Sequence, residues 1–212
     1  MLRVEHLQIL NLPPLTFSVA AGECLAVEGP SGSGKTKLLR AIADLDAASG
    51  QVLLDGAEKS EMPAHSWRSS VRYIAAEPGW WTDTPRPAFP VEIDDENSSK
   101  YKQISSLMQT VGLEMALLDR EIARASTGER LRLGLVRALV DDPKVILLDE
   151  PTASLDATNA GLVEELIKYL KLSQRCLVLV SHDAGQIDRL ADVRLQLAAP
   201  TPSQTSDERS KA

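Results

Sequence analysis

Residues 29–36 read GPSGSGKT, which fits the pattern Gly-x-x-x-x-Gly-Lys-Ser/Thr. Gly29, Gly32 and Gly34, with Pro30, Ser31 and Ser33 between them, allow the backbone to curl so that successive N–H groups face one concavity. Such a concavity binds phosphate oxygens, and a helix beginning at its end adds a positive dipole. Lys35 is placed to reach the β- and γ-phosphates of a nucleotide, and the Thr36 hydroxyl to ligate Mg²⁺. A second acidic site supports the first. VILLDEP is an apolar run ending in Asp149 and Glu150. Neighbouring strand residues face opposite ways, so these carboxylates can take different tasks. Asp149 is expected to hold Mg²⁺ through its water, and Glu150 to orient or deprotonate an attacking water. Taken singly, the motifs could be a glycine-rich turn and an acidic surface turn. Together they point to nucleotide chemistry.

The surrounding pattern supplies the elements such a site needs. Short apolar runs at 2–10, 15–22 and 24–29 read as strands, followed by a helical pattern at 35–45. Further strands are expected at 49–56, 71–76, 145–148 and 176–180. Helices are expected from Tyr101 to Val111, after Ser126, and from about Asn159 to Leu172. Residues 78–100 hold Pro78, Pro85, Pro87 and Pro90 and then DDENSSK, which reads as loop or poorly ordered chain. Unbroken apolar strands alternating with helices predict an α/β fold with a mostly parallel sheet covered on both faces. No internal repeat is evident, and 199–212 reads as a polar, disordered tail.

Composition excludes several classes. A net charge of -7 and a pI near 5.1 argue against a nucleic-acid partner. No apolar run is long enough to span a membrane, and MLRVEHLQIL lacks the layout of a signal peptide. Cys24 and Cys176 lie in apolar runs and read as buried thiols. These features lead to the expectation of a cytoplasmic protein.

Five elements in order make the chain resemble the ATP-binding subunits of ABC transporters, from residue 2 to about 198. GPSGSGKT is similar to the Walker A loop and VILLDE to the Walker B strand. ASLD at 153–156 is similar to the D-loop, which implies that Asp156 lies at a dimer seam. His182, in LVSHD, resembles the switch histidine that contacts the γ-phosphate. ASTGERLRLGLVRAL stands where the family signature begins Leu-Ser-Gly-Gly-Gln, with Ser126 and Gly128 retained and Ala125, Thr127 and Glu129 substituted. Read locally, Ser126 and Glu129 form a capping box that opens an amphipathic helix. The resemblance implies a P-loop NTPase of ABC type: a parallel core, an N-terminal antiparallel β subdomain, and a short inserted helical subdomain at about 78–125. Residues 1–198 then form a single ATP-binding domain. Length and motif spacing are similar to those of the small FetA-type subunits.

Three departures from the family stand out. Residues 1–16 hold no aromatic to stack on adenine, so the base is expected against aliphatic atoms near Ile9 to Leu12. In the signature, Glu129 would repel a phosphate unless it folds back onto its cap. Ala76, in YIAAEP, occupies the place of the Q-loop glutamine, which implies weaker Mg²⁺ holding and slow turnover.

The resemblance implies a subunit that binds and hydrolyses ATP with Mg²⁺, through Lys35, Glu150 and His182. Its partners would be a separate integral membrane permease and a second copy, or a paralogous ATP-binding subunit, docked head to tail. It would sit peripherally on the cytoplasmic face of the membrane. The alternative is an ATP-gated regulatory or scaffold module with little hydrolysis. A soluble ABC ATPase acting on DNA or ribosomes would need long insertions, tandem halves or a basic patch, and none is present. Trp80 and Trp81, paired just after the Q-loop in a chain with 4% aromatics, either fill a satellite core or anchor the membrane partner.

Overall fold

A computed structural model describes residues 1–9 and 12–198 of the chain. Two sheets organise it. The first is antiparallel and four-stranded, built from β1 (Leu2–Gln8), β2 (Leu15–Val19), β4 (Ser49–Leu54) and β5 (Ala57–Glu58), in the order β2-β1-β4-β5. The second is parallel and five-stranded, in the order β6-β7-β8-β3-β9. Its strands are β3 (Cys24–Glu28), β6 (Val71–Ile74), β7 (Val145–Asp149), β8 (Cys176–Val180) and β9 (Val193–Gln196).

The expected strand runs all appear. β7 and β8 are buried at every residue, which explains why they read as unbroken apolar runs between two helical layers. On one side lie α1 (Lys35–Ile42) and the antiparallel sheet, and Leu38, Leu39 and Ile42 of α1 join Val27, Val145 and Val178 in one apolar cluster. A second cluster gathers the other face of the sheet with α3 (Ser99–Thr110), α4 (Thr127–Leu139) and α5 (Ala157–Leu172).

The proline-rich stretch is more structured than its composition suggests. Short 3-10 turns form at Arg86–Ala88 and Val91–Asp94, and Phe89 and Ile93 drop into the second cluster. Arg86 fastens the segment by donating to both carboxylate oxygens of Asp119, at 2.6 and 2.7 Å. Four elements were not expected from the sequence: the short β5, α2 (Ala64–Ser70), α6 (Ala184–Leu190) and β9. In α2 the one buried residue is Trp67, whose indole N–H donates to the Ile42 carbonyl at 2.9 Å, satisfying an acceptor at the end of α1. The tail 199–212 lies outside the described residues, as do Leu10 and Asn11, on which part of the expected adenine contact falls.

β7, β8 and β3 are neighbours, so the loops leaving their carboxyl ends open side by side. That is the edge where open α/β sheets bind ligands.

Candidate functional site

The loop after β3 turns into α1 through three left-handed glycines, with φ of 150° at Gly29, 78° at Gly32 and 95° at Gly34. Gly29 admits no substitute, because an added Cβ would stand 2.8 Å from both the Leu197 carbonyl and Ser33 Oγ. Gly34 is the N-cap of α1 and offers no side chain to its first turn, which leaves those N–H groups for an anion.

A cavity of about 310 Å³ lies over this loop, walled by Ser31, Gly32 and Lys35 on one side and by Asp149, Glu150 and His182 on the other. The structure thus brings together the residues that the sequence placed in the phosphate cradle, the strand end and the switch position. Lys35 is only 8% exposed, and its ammonium donates to the carbonyls of Gly29 at 2.8 Å and Pro30 at 3.2 Å. No carboxylate among the described residues forms an ion pair with it, though its charge acts on Glu150 across the cavity. Thr36 Oγ1 donates to Asp149 Oδ2 at 2.8 Å, joining the two expected metal-binding groups.

Glu150 carries three marks of a working carboxylate. Its φ is 51°, a left-handed conformation that a glutamate rarely adopts. Its Oε2 accepts from the His182 backbone N–H at 3.3 Å, and its Oε1 lies 3.5 Å from the His182 imidazole Nε2. Burial pushes its carboxyl above the ordinary range, against the opposing pull of His182. Two buried oxygens, Ser33 Oγ and Glu150 Oε1, have no hydrogen-bond partner among the described residues. Orphaned groups at a glycine cradle, a lone lysine and a Thr–Asp pair form a donor set that fits a Mg²⁺-bound nucleoside triphosphate.

Ser126, Gly128 and Asp156 do not line this cavity. Ser126 caps α4: its Oγ accepts from Glu129 N–H at 3.1 Å, and Glu129 Oε2 accepts from Ser126 N–H at 2.7 Å. The carboxylate is therefore folded back, and the Ser126 N–H holds its pKa below the usual range. A Cβ on Gly128 would meet Leu155 at 3.0 Å, so the glycine lets the start of α4 lie close to the 153–156 segment. Asp156 caps α5 by accepting from Asn159 N–H at 3.0 Å.

Sequence reasoning missed one residue that touches the site and one buried polar residue apart from it. Tyr73, read only as part of an aligned stretch, donates its hydroxyl to Asp149 Oδ2 at 2.9 Å. Gln186, wholly buried on α6, donates to Thr152 Oγ1 at 2.8 Å beside the Glu164–Arg189 ion pair of 2.6 Å. No motif marks either residue. Tyr73 could have been found from the pairing of β6 with β7, which sets it opposite Leu147, two residues before Asp149.

A separate groove of about 440 Å³ opens after β6, between the 74–81 bend and α4. The two tryptophans differ in burial. Trp80 is partly buried against the second core cluster, whereas Trp81 is 71% exposed. The Arg137 guanidinium lies 4.2 Å from the Trp80 ring centroid and 4.7 Å from that of Trp81, and donates to the Gly79 carbonyl at 3.1 Å. Gly134 of α4 lets Pro78 sit against the helix, since a Cβ there would come within 2.5 Å of the proline ring.

Comparison with known proteins agrees with this geometry. Residues 12–153 match the family model described as ABC transporter. The chain is 36% identical over 188 residues to Protein STAR1 of Oryza sativa subsp. japonica, covering 86% of this chain and 54% of that protein, about half its length. It is 35% identical over 185 residues to the probable iron export ATP-binding protein FetA of Escherichia coli (strain K12), covering 85% of this chain and 81% of that protein. Among solved structures, a dimeric bacterial ABC transporter cassette superposes with a TM-score of 0.78 at 21% identity, covering 93% of this chain and 94% of that chain.

Proposed function

The chain belongs to the ABC transporter family, as one of its ATP-binding subunits, and we propose that it hydrolyses ATP to drive a membrane permease carried on a separate polypeptide. The observation that carries this reading is the convergence of Lys35, Thr36, Asp149, Glu150 and His182 on one cavity. No helix among the described residues is long and apolar enough to cross a membrane.

In this reading Lys35 exchanges its two loop carbonyls for phosphate oxygens, and the N–H groups of the glycine loop take the remainder. Thr36 and Asp149 would hold Mg²⁺, which offsets the phosphate charge. Glu150 accepts the proton of the attacking water, and the burial that raises its pKa makes it a stronger base. His182 keeps the Glu150 carboxylate aimed through its backbone N–H, with its imidazole 3.5 Å from the other oxygen, and faces the γ-phosphate. The oxygen of water bonds to γ-phosphorus, the bridging oxygen leaves with ADP, and the proton stays on Glu150 until release.

Ser126 and Gly128 stand apart from this cavity, and we assign them to the ATP site of a second copy, with Asp156 at the seam. The capping box keeps Glu129 off the incoming phosphate. Residues 78–125 would be the helical subdomain, and the groove beneath Trp81 would receive the permease on the cytoplasmic face of the membrane. Ala76 offers only a methyl where a glutamine would meet metal and water, which favours slow turnover and gives weight to the second reading, a nucleotide-gated module that barely hydrolyses ATP.

The test is steady-state ATP turnover of the wild type against Glu150→Gln, with nucleotide binding measured in parallel. Loss of the base should slow hydrolysis by about 10²–10⁴-fold while binding persists. Equal and negligible rates in both proteins would establish the gated module instead.

A further inference from the structure

We propose that Tyr73 is a positioning residue for the metal-binding carboxylate, taking up from an earlier place in the chain part of the task left open by Ala76. The inference rests on the ATP- and Mg²⁺-binding reading above.

The geometry is specific. Asp149 Oδ2 accepts two hydrogen bonds, from Thr36 Oγ1 at 2.8 Å and from the Tyr73 hydroxyl at 2.9 Å. Thr36 is itself placed to turn a lone pair toward the metal, so its grip on Asp149 is shared. The tyrosine hydroxyl has no such second duty, and it fixes one carboxylate oxygen of a residue that lines the cavity. Asp149 is 5% exposed, so water cannot replace a lost donor cheaply.

The source of the donor matters as much as its presence. Tyr73 lies on β6, hydrogen-bonded in parallel register to β7, which carries Asp149 at its end. Alternation along β6 turns Tyr73 toward the α1 side of the sheet, where it packs against the first cluster, and Ile74 toward the second cluster, on the opposite face. Ala76 follows two residues later, in the bend after the strand. Among the described residues, Tyr73 is the side chain of this strand that bonds Asp149. A strand-borne aromatic is also stiffer than a loop-borne glutamine, so it would hold the carboxylate in one place rather than report changes in it.

The decisive measurement is the Mg²⁺ dependence of nucleotide binding in Tyr73→Phe, followed with a fluorescent ATP analogue across a Mg²⁺ titration and again in EDTA. Removing a hydrogen-bond partner of a metal-binding carboxylate typically lowers metal affinity by 10–100-fold. The half-saturating Mg²⁺ concentration should therefore rise about tenfold, with binding in EDTA close to wild type. A merely structural tyrosine would weaken binding equally with and without Mg²⁺, and that result overturns the proposal. So does an unchanged or lower half-saturating Mg²⁺. A wild type that binds no nucleotide in either condition would instead overturn the functional reading itself. Thr36→Val provides the comparison: it removes a metal-binding group outright and should lose more Mg²⁺ affinity than Tyr73→Phe.

Discussion

Replacing Trp81 with alanine separates docking from nucleotide binding. A tryptophan side chain carries about 150–250 Å² of surface. With Trp81 71% exposed, roughly 100–180 Å² remains for a partner to cover. At about 25 cal/mol per Å², full coverage is worth roughly 2.5–4.5 kcal/mol, an upper bound because docking also orders side chains. Half coverage leaves about 1.5–2 kcal/mol, or roughly 10–30-fold in affinity. The fold should scarcely notice, since most of the ring is exposed and its stacking on Arg137 is worth about 0.5–1 kcal/mol at an exposed site. For a chain of this size that shifts Tm by about 1–4 °C. The assay is recovery of the integral membrane protein that accompanies tagged wild-type chain from native membranes, then titration of both variants against that purified partner. A folded Trp81→Ala protein that binds the partner with unchanged affinity would refute the assignment of this groove. Parallel loss of ATP affinity would refute the claim that groove and cavity are energetically separate.

Two further outcomes follow from the site and its supports. Ala76→Gln should raise the ATP hydrolysis rate and lower the Mg²⁺ needed for half-maximal activity, in steady-state assays with Mg²⁺ varied; an unchanged profile would refute the proposal that Ala76 slows turnover. The hydrogen bond from Arg189 holds the Glu164 carboxyl below its ordinary pKa despite burial, so this pair stabilises the fold above the unfolded carboxyl's pKa of about 4.5 and stops doing so as pH falls through the lowered value. Thermal melts should therefore place wild type above Glu164→Gln at neutral pH, with the gap closing in that acid window.

Legibility varied with how local each cause was. The strands and helices around the cavity could be read because their signals are short-range: glycine spacing at 29–34, unbroken apolar runs at β7 and β8, and the Ser126/Glu129 cap. Asp156 and Ser98 likewise cap α5 and α3, which begin two residues before the apolar pattern suggested. α2 escaped because its one buried residue, Trp67, gives no periodicity, and its anchor is the distant Ile42 carbonyl. β9 escaped because VRLQ is an edge strand with little burial. The order of strands is a tertiary fact, and with it went the meeting of Tyr73 and Asp149. The prolines near residue 85 correctly signalled the absence of long helix or strand, yet proline also begins tight turns, and here Pro85 and Pro90 stand at the heads of two.

Glu150 bears two costs that nothing in the fold requires. A left-handed backbone at a residue with a side chain costs roughly 1–2 kcal/mol relative to glycine, and burial penalises the charge it must carry. Glycine or asparagine would sit there more comfortably. Selection for robustness alone would therefore erode this position first, and variants screened only for heat resistance or expression would drift toward silent proteins that still fold and still grip ATP.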